Sequence, residues 1–598
     1  MEKLKNRSEV NSSDKWQIEK IYQDVTEFNK DYQRVEEQFK ELEILANDFL
    51  TSQESFKKFF LFDSKVGRAL DKLWVYANCK EDEDTANVTY QELTSKMQLL
   101  FARYSEITSH IVPSIIAEDE NKIISYLDED LKQFNHMITS LLRQKKHSLT
   151  AENEKVLAAF SPVLNSASDT YSYLTNADMR LGTITDENNN EVELTEGNVS
   201  IYLRSKDRRV RKECFETLYN AYQSVKNTIT SLYSSILNYD SINAKLRGYA
   251  SSIESYLDTN NIPISLYNNL IKTVRENLEP LYEYFDLKRE ILGLDEFHLY
   301  DGYVSTVKSV DKKCSFEEGK KTVLDALKIL GDEYVSKLKE SFTEGWIDIY
   351  PNKGKKSGAY STGSYDTMPY VLLNYNNNYD SVSTLAHELG HSMHTYYATT
   401  SQPYETSGYP IFLAEIASTT NELLLSDYRY KNATTKEEKL SILNEKLDLF
   451  KSTIYRQTMF AEFEKNAHEY VDKGNVVTNE YLNKMYYDLN KVYFGDKVVV
   501  DDLIQYEWSR IPHFYTPFYV YQYATSLSIS CYVTENILNK TPGFKEKYLE
   551  LLKSGGKDYP LELLKIIDVN LTDCKVFESA INMFRNTLEE FKKIYNSK

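Results

Sequence analysis

The chain has 598 residues, 41% hydrophobic residues and a formal net charge of -19 at neutral pH. This length exceeds the usual size of a domain with a single hydrophobic core, so we expect at least two domains. The acidic charge disfavours nucleic acid and anionic membrane surfaces as partners, because both repel a negative protein. The five scattered cysteines are typical of reduced thiols, and the polar N-terminus without an apolar segment favours the cytoplasm.

The N-terminal part of the chain is predicted to be helical. Apolar residues recur at spacings of three and four from Phe28 to Leu45, and a similar pattern covers residues 101–115. Alternating segments at 182–185 and 191–194 flank three asparagines and predict a β-hairpin. We therefore expect a helical N-terminal domain over residues 1–200 and a catalytic domain over residues 201–598.

A short strand is predicted at residues 368–375, closed by three asparagines. Pro369 lacks an N–H donor and suits an edge position. A free edge would pair with a substrate peptide through main-chain groups, whereas a plain structural strand would not. The sequence leaves these two interpretations open.

The sequence His387-Glu388-Leu389-Gly390-His391 is an HExxH motif. On a helix, residues four apart share one face, so both imidazoles reach one Zn²⁺ while Glu388 stands beside a bound water. Apolar residues at helical spacing surround the motif and predict such a helix, with three candidate N-cap residues before it: Asp380, Ser381 and Ser383. Gly390 is unfavourable in a helix, which indicates that a substrate or a neighbouring backbone comes close there.

A catalytic zinc site needs a third protein ligand, and Glu415 is the candidate. It follows Pro410 in a predicted helix and has apolar neighbours on both sides. A carboxylate in such surroundings requires a partner, either zinc or a structural salt bridge. Glu422 either orients a ligand histidine or lies exposed on the helix surface. His394 and Asp380 are further candidates for a place beside the ligands, with structural roles as the simpler account.

Further along the chain, Thr516 and Pro517 are predicted as the N-cap and first residue of another helix. Tyr519 and Tyr523 would then share one helix face, and His513 would lie in the preceding loop. In a chain with 48 tyrosines, a stripe of tyrosines is equally compatible with ordinary packing.

Several segments together resemble the oligoendopeptidase F branch of the thimet oligopeptidase-like family of zinc metallopeptidases. They are residues 181–184, 295–303, 357–361, 387–394, 414–422 and 511–515. The resemblance implies that His387, His391 and Glu415 bind one Zn²⁺ per chain and that Glu388 is the general base. It also implies a mainly α, zincin-type fold with two subdomains around a deep channel and a small β-sheet near the zinc site.

The same resemblance implies that a histidine and tyrosines of the segment after residue 511 bind substrate and stabilise the transition state. His513, Tyr519 and Tyr523 are our candidates. The spacing after the histidine matches the family only with a shift of one residue, so Tyr515 and Tyr521 remain alternatives.

The expected function is a zinc endopeptidase that hydrolyses internal peptide bonds of short oligopeptides. Two alternatives remain: a zinc carboxypeptidase or dipeptidase, and a non-catalytic peptide-binding protein with a structural zinc. Glu388 argues against the latter, since a structural metal site needs ligands but no base.

Overall fold

The computed structural model describes residues 4–307 and 313–597. Within these ranges the fold is mainly α, as predicted. The α-helices are α1 Val25–Asp48, α2 Gln53–Glu83, α3 Val88–Thr108, α4 Ile111–Ala117, α5 Glu120–Tyr126, α6 Asn135–Gln144, α7 Ala151–Leu164, α8 Ser166–Tyr173, α9 Val199–Leu203, α10 Arg208–Ser224, α11 Lys226–Leu246, α12 Ser252–Asp258, α13 Ile264–Glu276, α14 Glu279–Ile291, α15 Phe316–Ala326, α16 Asp332–Thr343, α17 Tyr379–Ser401, α18 Tyr404–Ser407, α19 Ile411–Asn432, α20 Lys436–Phe450, α21 Arg456–Asp472, α22 Asn479–Phe494, α23 Tyr521–Leu538, α24 Phe544–Lys553, α25 Pro560–Leu564 and α26 Lys575–Asn596.

The strands of the described residues are short. They are β1 Thr183–Thr185, β2 Glu191–Glu193, β3 Phe297–His298, β4 Ile347–Asp348, β5 Tyr360–Thr362, β6 Tyr370–Leu372 and β7 Val498–Val499. Strands β1 and β2 form the predicted antiparallel hairpin, and β3 pairs with β7 in parallel. The remaining three form a mixed sheet in the order β4-β6-β5.

The chain divides into two compact units, each built from separate segments. The first unit contains Met1–Ser148, Asp311–Lys431 and Val533–Val569, and the second contains Leu149–Val310, Asn432–Tyr532 and Asn570–Lys598. The helices α17 and α19, which carry the predicted metal ligands, belong to the first unit, except for Asn432 at the end of α19. The segment around His513 belongs to the second unit. The predicted division of the chain at residue 200 stays a prediction.

The predicted amphipathic helix near the N-terminus is α1. Phe28, Val35, Phe39 and Leu42 are buried on one face, where they pack with residues of α2 and α3. Tyr370 and Leu372 of β6 are part of the same hydrophobic cluster. The N-terminal helices and the mixed sheet therefore share one core within the first unit.

The prediction that the strand after Pro369 lies at a sheet edge is wrong. Strand β6 is the central strand, and all three of its residues are buried. Pro369 precedes the first paired residue, so its missing N–H costs the sheet no hydrogen bond. The edge strand on that side is β5, which runs antiparallel to β6.

Helix α17 carries the HExxH motif, but its N-cap differs from the predicted candidates. The N-cap is Asn378, whose side-chain oxygen accepts hydrogen bonds from the backbone N–H and the hydroxyl of Ser381. Asp380 lies in the first turn instead, where a carboxylate interacts favourably with the helix dipole. In the described part of the chain, no helix combines the length and the apolar character needed to cross a membrane.

Gly390 lies where α17 and α19 cross. A Cβ atom at this position would be 2.5 Å from Ser418 Cα and 2.7 Å from the carbonyl oxygen of Ala417. Contacts this short with backbone atoms cannot be relieved by turning a side chain. Of the two explanations for this glycine, the structure supports the close approach of a neighbouring backbone.

We expect Gly390→Ala to separate α17 from α19, because the added methyl group overlaps the backbone of α19. The overpacking should lower the free energy of unfolding by about 1–3 kcal/mol and move Glu415 away from the two histidines. Thermal melting and zinc titration would measure both effects. Gly408→Ala is the matched control, since no atom lies within 4 Å of its Cβ position. Equal melting temperatures and zinc affinities for the two variants would contradict this account of the crossing.

Candidate active site

Three side chains from α17 and α19 bring potential metal ligands together. Nε2 of His387 is 3.2 Å from Nε2 of His391, and Oε2 of Glu415 is 3.5 Å and 3.7 Å from these two atoms. His387, His391 and Glu415 form a group whose ligand atoms all lie within 4.8 Å of one another. The structure thus brings together the three residues that the sequence nominated.

This donor set fits a zinc ion. Tetrahedral zinc with bonds of about 2.0–2.2 Å keeps its ligand atoms roughly 3.3–3.6 Å apart, close to the distances between these three groups. Two imidazoles and one carboxylate also form a typical catalytic set, which leaves one coordination position for water or substrate.

Glu422 holds the ring of His387 in place. Its Oε1 lies 2.6 Å from Nδ1 of His387, and its Oε2 accepts a hydrogen bond of 3.2 Å from the hydroxyl of Ser383. Although burial opposes a charged ring, Glu422 raises the pKa of His387 above its ordinary value. A carboxylate on Nδ1 leaves Nε2 turned toward the metal position and makes it a better ligand. The exposed location that the sequence left open for Glu422 is excluded.

Glu388, the candidate general base, lies between the two histidines of the motif and is buried. Burial raises the pKa of its carboxyl group to about 7, while the backbone N–H of Ser361 on β5 donates a hydrogen bond that opposes the rise. The hydroxyl of Ser361 also contacts that of Ser392 on α17, at 2.9 Å. The edge strand of the sheet is therefore tied to the helix that carries the motif.

Sequence reasoning missed two contacts near the candidate ligands. The hydroxyl of Ser418 donates to Oε2 of Glu415 at 2.9 Å, and Ser361 reaches Glu388 through its backbone. Ser418 lies one helical turn after Glu415, so helix periodicity is a signal that a sequence search can use. A backbone donor leaves no such signal in the sequence.

His394 has a packing role. Its ring is buried and stacks on Tyr409 with the ring centres 3.6 Å apart, and burial lowers its pKa to about 3. The hydroxyl of Tyr409 in turn contacts Thr395 at 2.8 Å. His394 is thus a neutral core residue, in agreement with the structural role that the sequence favoured.

In the second unit, His513 forms a cluster with two tyrosines. The Oη atom of Tyr523 lies 3.5 Å from Nε2 of His513, and the ring of Tyr519 is centred 6.0 Å from the imidazole and 5.5 Å from the ring of Tyr523. His513 is exposed and the tyrosines are partly exposed. Partial burial lowers the pKa of His513 and thereby favours the neutral form of its ring.

The predicted start of the helix in this segment is wrong. Residues Pro512–Tyr515, including His513, form a 3-10 helix, and α23 begins at Tyr521. Phe518 has a φ of 54°, which no helix accommodates, so Thr516 and Pro517 cannot start α23. Tyr519 precedes the helix, and a turn of the backbone rather than a shared helix face brings it near Tyr523.

The other two tyrosines of the segment serve packing. The ring of Tyr515 stacks on Tyr171 with centres 4.2 Å apart. Tyr521 is buried and its ring lies 4.9 Å from that of Tyr267. Neither contacts His513 in this way, so the arrangement favours Tyr519 and Tyr523 as the candidates.

Two family models match the chain. The model described as Peptidase family M3 matches residues 201–583, and the model described as Oligopeptidase F matches residues 115–180. The first match covers more than half of the chain and includes His387, His391 and Glu415.

Known proteins are similar along nearly the whole length. Oligopeptidase PepF of Bacillus subtilis (strain 168) is 40% identical over 593 residues, which cover 99% of this chain and 88% of that protein. The crystal structure of oligoendopeptidase-F from Enterococcus faecium has a TM-score of 0.76 at 33% identity and covers 96% of this chain and 99% of that one. A solved structure from Chlamydophila abortus reaches a TM-score of 0.91 at 34% identity and covers 99% and 100% of the two chains.

The helical fold, the group of potential histidine and glutamate ligands on two crossing helices and the full-length similarity all agree. The chain belongs to peptidase family M3.

Proposed function

We propose that this metallopeptidase is a zinc-dependent endopeptidase that hydrolyses internal peptide bonds of short oligopeptides in the cytoplasm. The observation that carries the proposal is the group of His387, His391 and Glu415 with the buried Glu388 on the same helix as the two histidines. Each chain would hold one zinc ion.

The protein residues divide the chemistry among them. A bound zinc ion would act as a Lewis acid on the scissile carbonyl and lower the pKa of a water molecule. Glu388 accepts a proton from the attacking water on its carboxylate and then donates it to the leaving amine. Burial raises the pKa of this carboxyl group above its ordinary value, which favours its uptake of a proton from water. Glu422 keeps the His387 ring in the orientation that the site requires.

The substrate backbone would pair with β5. This strand lies at the edge of the mixed sheet, and Ser361 connects it to Glu388 and to α17. Pairing through main-chain groups holds a peptide in extended form and selects little by side chain. We therefore propose β5, rather than the strand after Pro369, as the edge that pairs with the substrate backbone.

We further propose that His513, Tyr519 and Tyr523 bind substrate and donate hydrogen bonds to the carbonyl oxygen as negative charge develops on it. The contact between the Tyr523 hydroxyl and His513 supports this role, because it places two groups that can donate hydrogen bonds side by side at a position that solvent reaches. Oxyanion donors of this kind are each worth about 3 kcal/mol in other enzymes.

Glu388→Gln should abolish cleavage, because the amide cannot accept the proton of the attacking water. We expect a loss of at least about a thousandfold in kcat at unchanged zinc content. Internally quenched peptides of graded length with blocked ends provide the measurement.

Two outcomes would contradict the endopeptidase proposal. Strictly terminal release by the zinc-loaded protein would indicate a carboxypeptidase or dipeptidase. Binding of peptides without any cleavage would indicate a non-catalytic peptide-binding protein.

Glu422→Gln should weaken zinc binding by about tenfold to a hundredfold, since a neutral amide supports the His387 ring less well than a carboxylate. Competition with a chromophoric chelator measures the affinity. Glu405→Gln is a suitable control, because that glutamate lies outside the ligand group. An unchanged zinc affinity in Glu422→Gln would show that the contact with His387 has no part in metal binding.

Tyr523→Phe should lower kcat by about a hundredfold with little change in KM, since a transition-state donor acts on kcat. Tyr515→Phe serves as the control and should retain activity, because its ring is committed to stacking on Tyr171. Steady-state kinetics on a quenched peptide separate the two. A rise in KM at constant kcat would instead assign Tyr523 to substrate binding alone.

A further inference from the structure

The segment that carries His513, Tyr519 and Tyr523 bends sharply at Phe518. Its φ of 54° lies in the left-handed region. Bulky aromatic residues rarely adopt this conformation, because the Cβ atom then crowds the carbonyl oxygen. Such a conformation persists only where surrounding contacts impose it. The contacts of Phe518 therefore determine the direction in which Tyr519 leaves the turn and α23 begins.

The side chain of Phe518 is held by an aromatic socket. The ring is 3% exposed, and its centre lies 4.5 Å from that of His468, 5.6 Å from Tyr256 and 6.0 Å from Tyr267. Nε2 of His468 lies 3.0 Å from Asp240, which also accepts a hydrogen bond from the hydroxyl of Tyr256. The socket is thus itself fixed by polar contacts among helices of the second unit.

The backbone of Phe518 is held by Glu464 on α21. Its N–H donates to Oε1 of Glu464 at 2.7 Å, and the glutamate is completely buried. Oε2 of the same carboxyl group has no hydrogen-bond partner among the described residues. Burial raises the pKa of Glu464 to about 8. A buried, half-satisfied carboxyl group is unfavourable for stability, so its presence calls for a function beyond packing.

We propose that Glu464 is a positioning residue for the peptidase reaction, which fixes the left-handed turn at Phe518 and thereby the placement of Tyr519 and Tyr523 beside His513. This inference rests on the proposed role of those three residues. The turn and the cluster are continuous in the chain, since Tyr519 directly follows Phe518 and the backbone N–H of Tyr523 donates to the carbonyl of Val520 at 3.3 Å.

A purely structural glutamate would behave differently. Glu462 lies on the same helix and is also buried, but both of its oxygens are satisfied, by Arg275 at 2.7 Å and by the hydroxyl of Tyr493 at 2.9 Å. Among the described residues, no hydrogen bond or ion pair joins Glu462 to the segment from His513 to Tyr523. Glu462 therefore provides a matched control for the loss of a buried carboxyl group from α21.

The test compares Glu464→Gln, Glu464→Leu and Glu462→Leu in the full-length, zinc-loaded protein. The amide of Gln still accepts the Phe518 N–H, whereas Leu leaves that donor unpaired. Kinetics on a quenched peptide give kcat and KM, and hydrogen exchange followed by mass spectrometry reports on the backbone of residues 512–523. Neither exchange nor melting temperature requires activity.

We expect Glu464→Leu to lower kcat by about tenfold or more, since small displacements of catalytic groups have effects of this size. Exchange in residues 512–523 should accelerate in this variant and stay near wild type in Glu464→Gln. In a Tyr523→Phe background, the same substitution should lower kcat by a clearly smaller factor than in the wild type, because residues that act as a unit are not additive. Glu462→Leu should lower the melting temperature without changing kcat.

Wild-type kcat and exchange in Glu464→Leu would overturn the proposal, as would losses that multiply fully in the double variant. If Glu464→Leu does not fold, Phe518→Gly tests whether the turn at Phe518 controls kcat and exchange. This variant removes both the ring and the conformational restriction and should also accelerate exchange and lower kcat, and unchanged values would overturn the proposal. If wild-type protein cleaves no peptide, the proposed function fails, while the exchange comparison still decides whether Glu464 holds the turn.

Discussion

The candidate site depends on one close contact, the crossing of α17 over α19 at Gly390. The HExxH helix supplies two imidazoles, and α19, packed against it at backbone distance, brings the carboxylate of Glu415 to them. A side chain at Gly390 would meet the backbone of Ser418 and Ala417, three and two residues after Glu415. The absence of a side chain at Gly390 thus allows the close spacing of the three potential ligand atoms. The glycine lowers the intrinsic stability of α17, and the packing of the two helices offsets that loss.

The crossing also explains the electrostatics of the site. Glu388, Glu415 and Glu422 lie close to two histidines at a largely buried position in the first unit, where isolated charges are unfavourable. The cluster is stabilised by specific pairs, such as Glu422 with His387 and Ser418 with Glu415. A divalent cation at its centre would neutralise the remaining carboxylate charge. The same burial that makes the cluster costly raises the pKa of Glu388 into the range useful for a base.

Features encoded in a few neighbouring residues were predictable from the sequence. The spacing of His387 and His391, the helix around them, and the hairpin of β1 and β2 all follow from local periodicity and turn residues. Glu415 was recognisable because a carboxylate among apolar residues requires a partner.

Features that depend on distant segments were not predictable. Strand β6 is buried between β4 and β5, of which β4 lies more than twenty residues before it in sequence. The N-cap of α17 is Asn378, although three other polar residues nearby were equally plausible from the sequence. The delayed start of α23 follows from the turn at Phe518, which Glu464 holds from another helix.

The measurement that tests the central claim most directly is diffraction from crystals of the zinc-loaded protein on both sides of the zinc absorption edge. The account predicts an anomalous peak about 2.0–2.2 Å from His387 Nε2, His391 Nε2 and a carboxylate oxygen of Glu415, with Glu422 still bound to Nδ1 of His387. A zinc peak away from these three residues, or a site that lacks Glu415, would contradict the assembly of the metal centre at the crossing of α17 and α19.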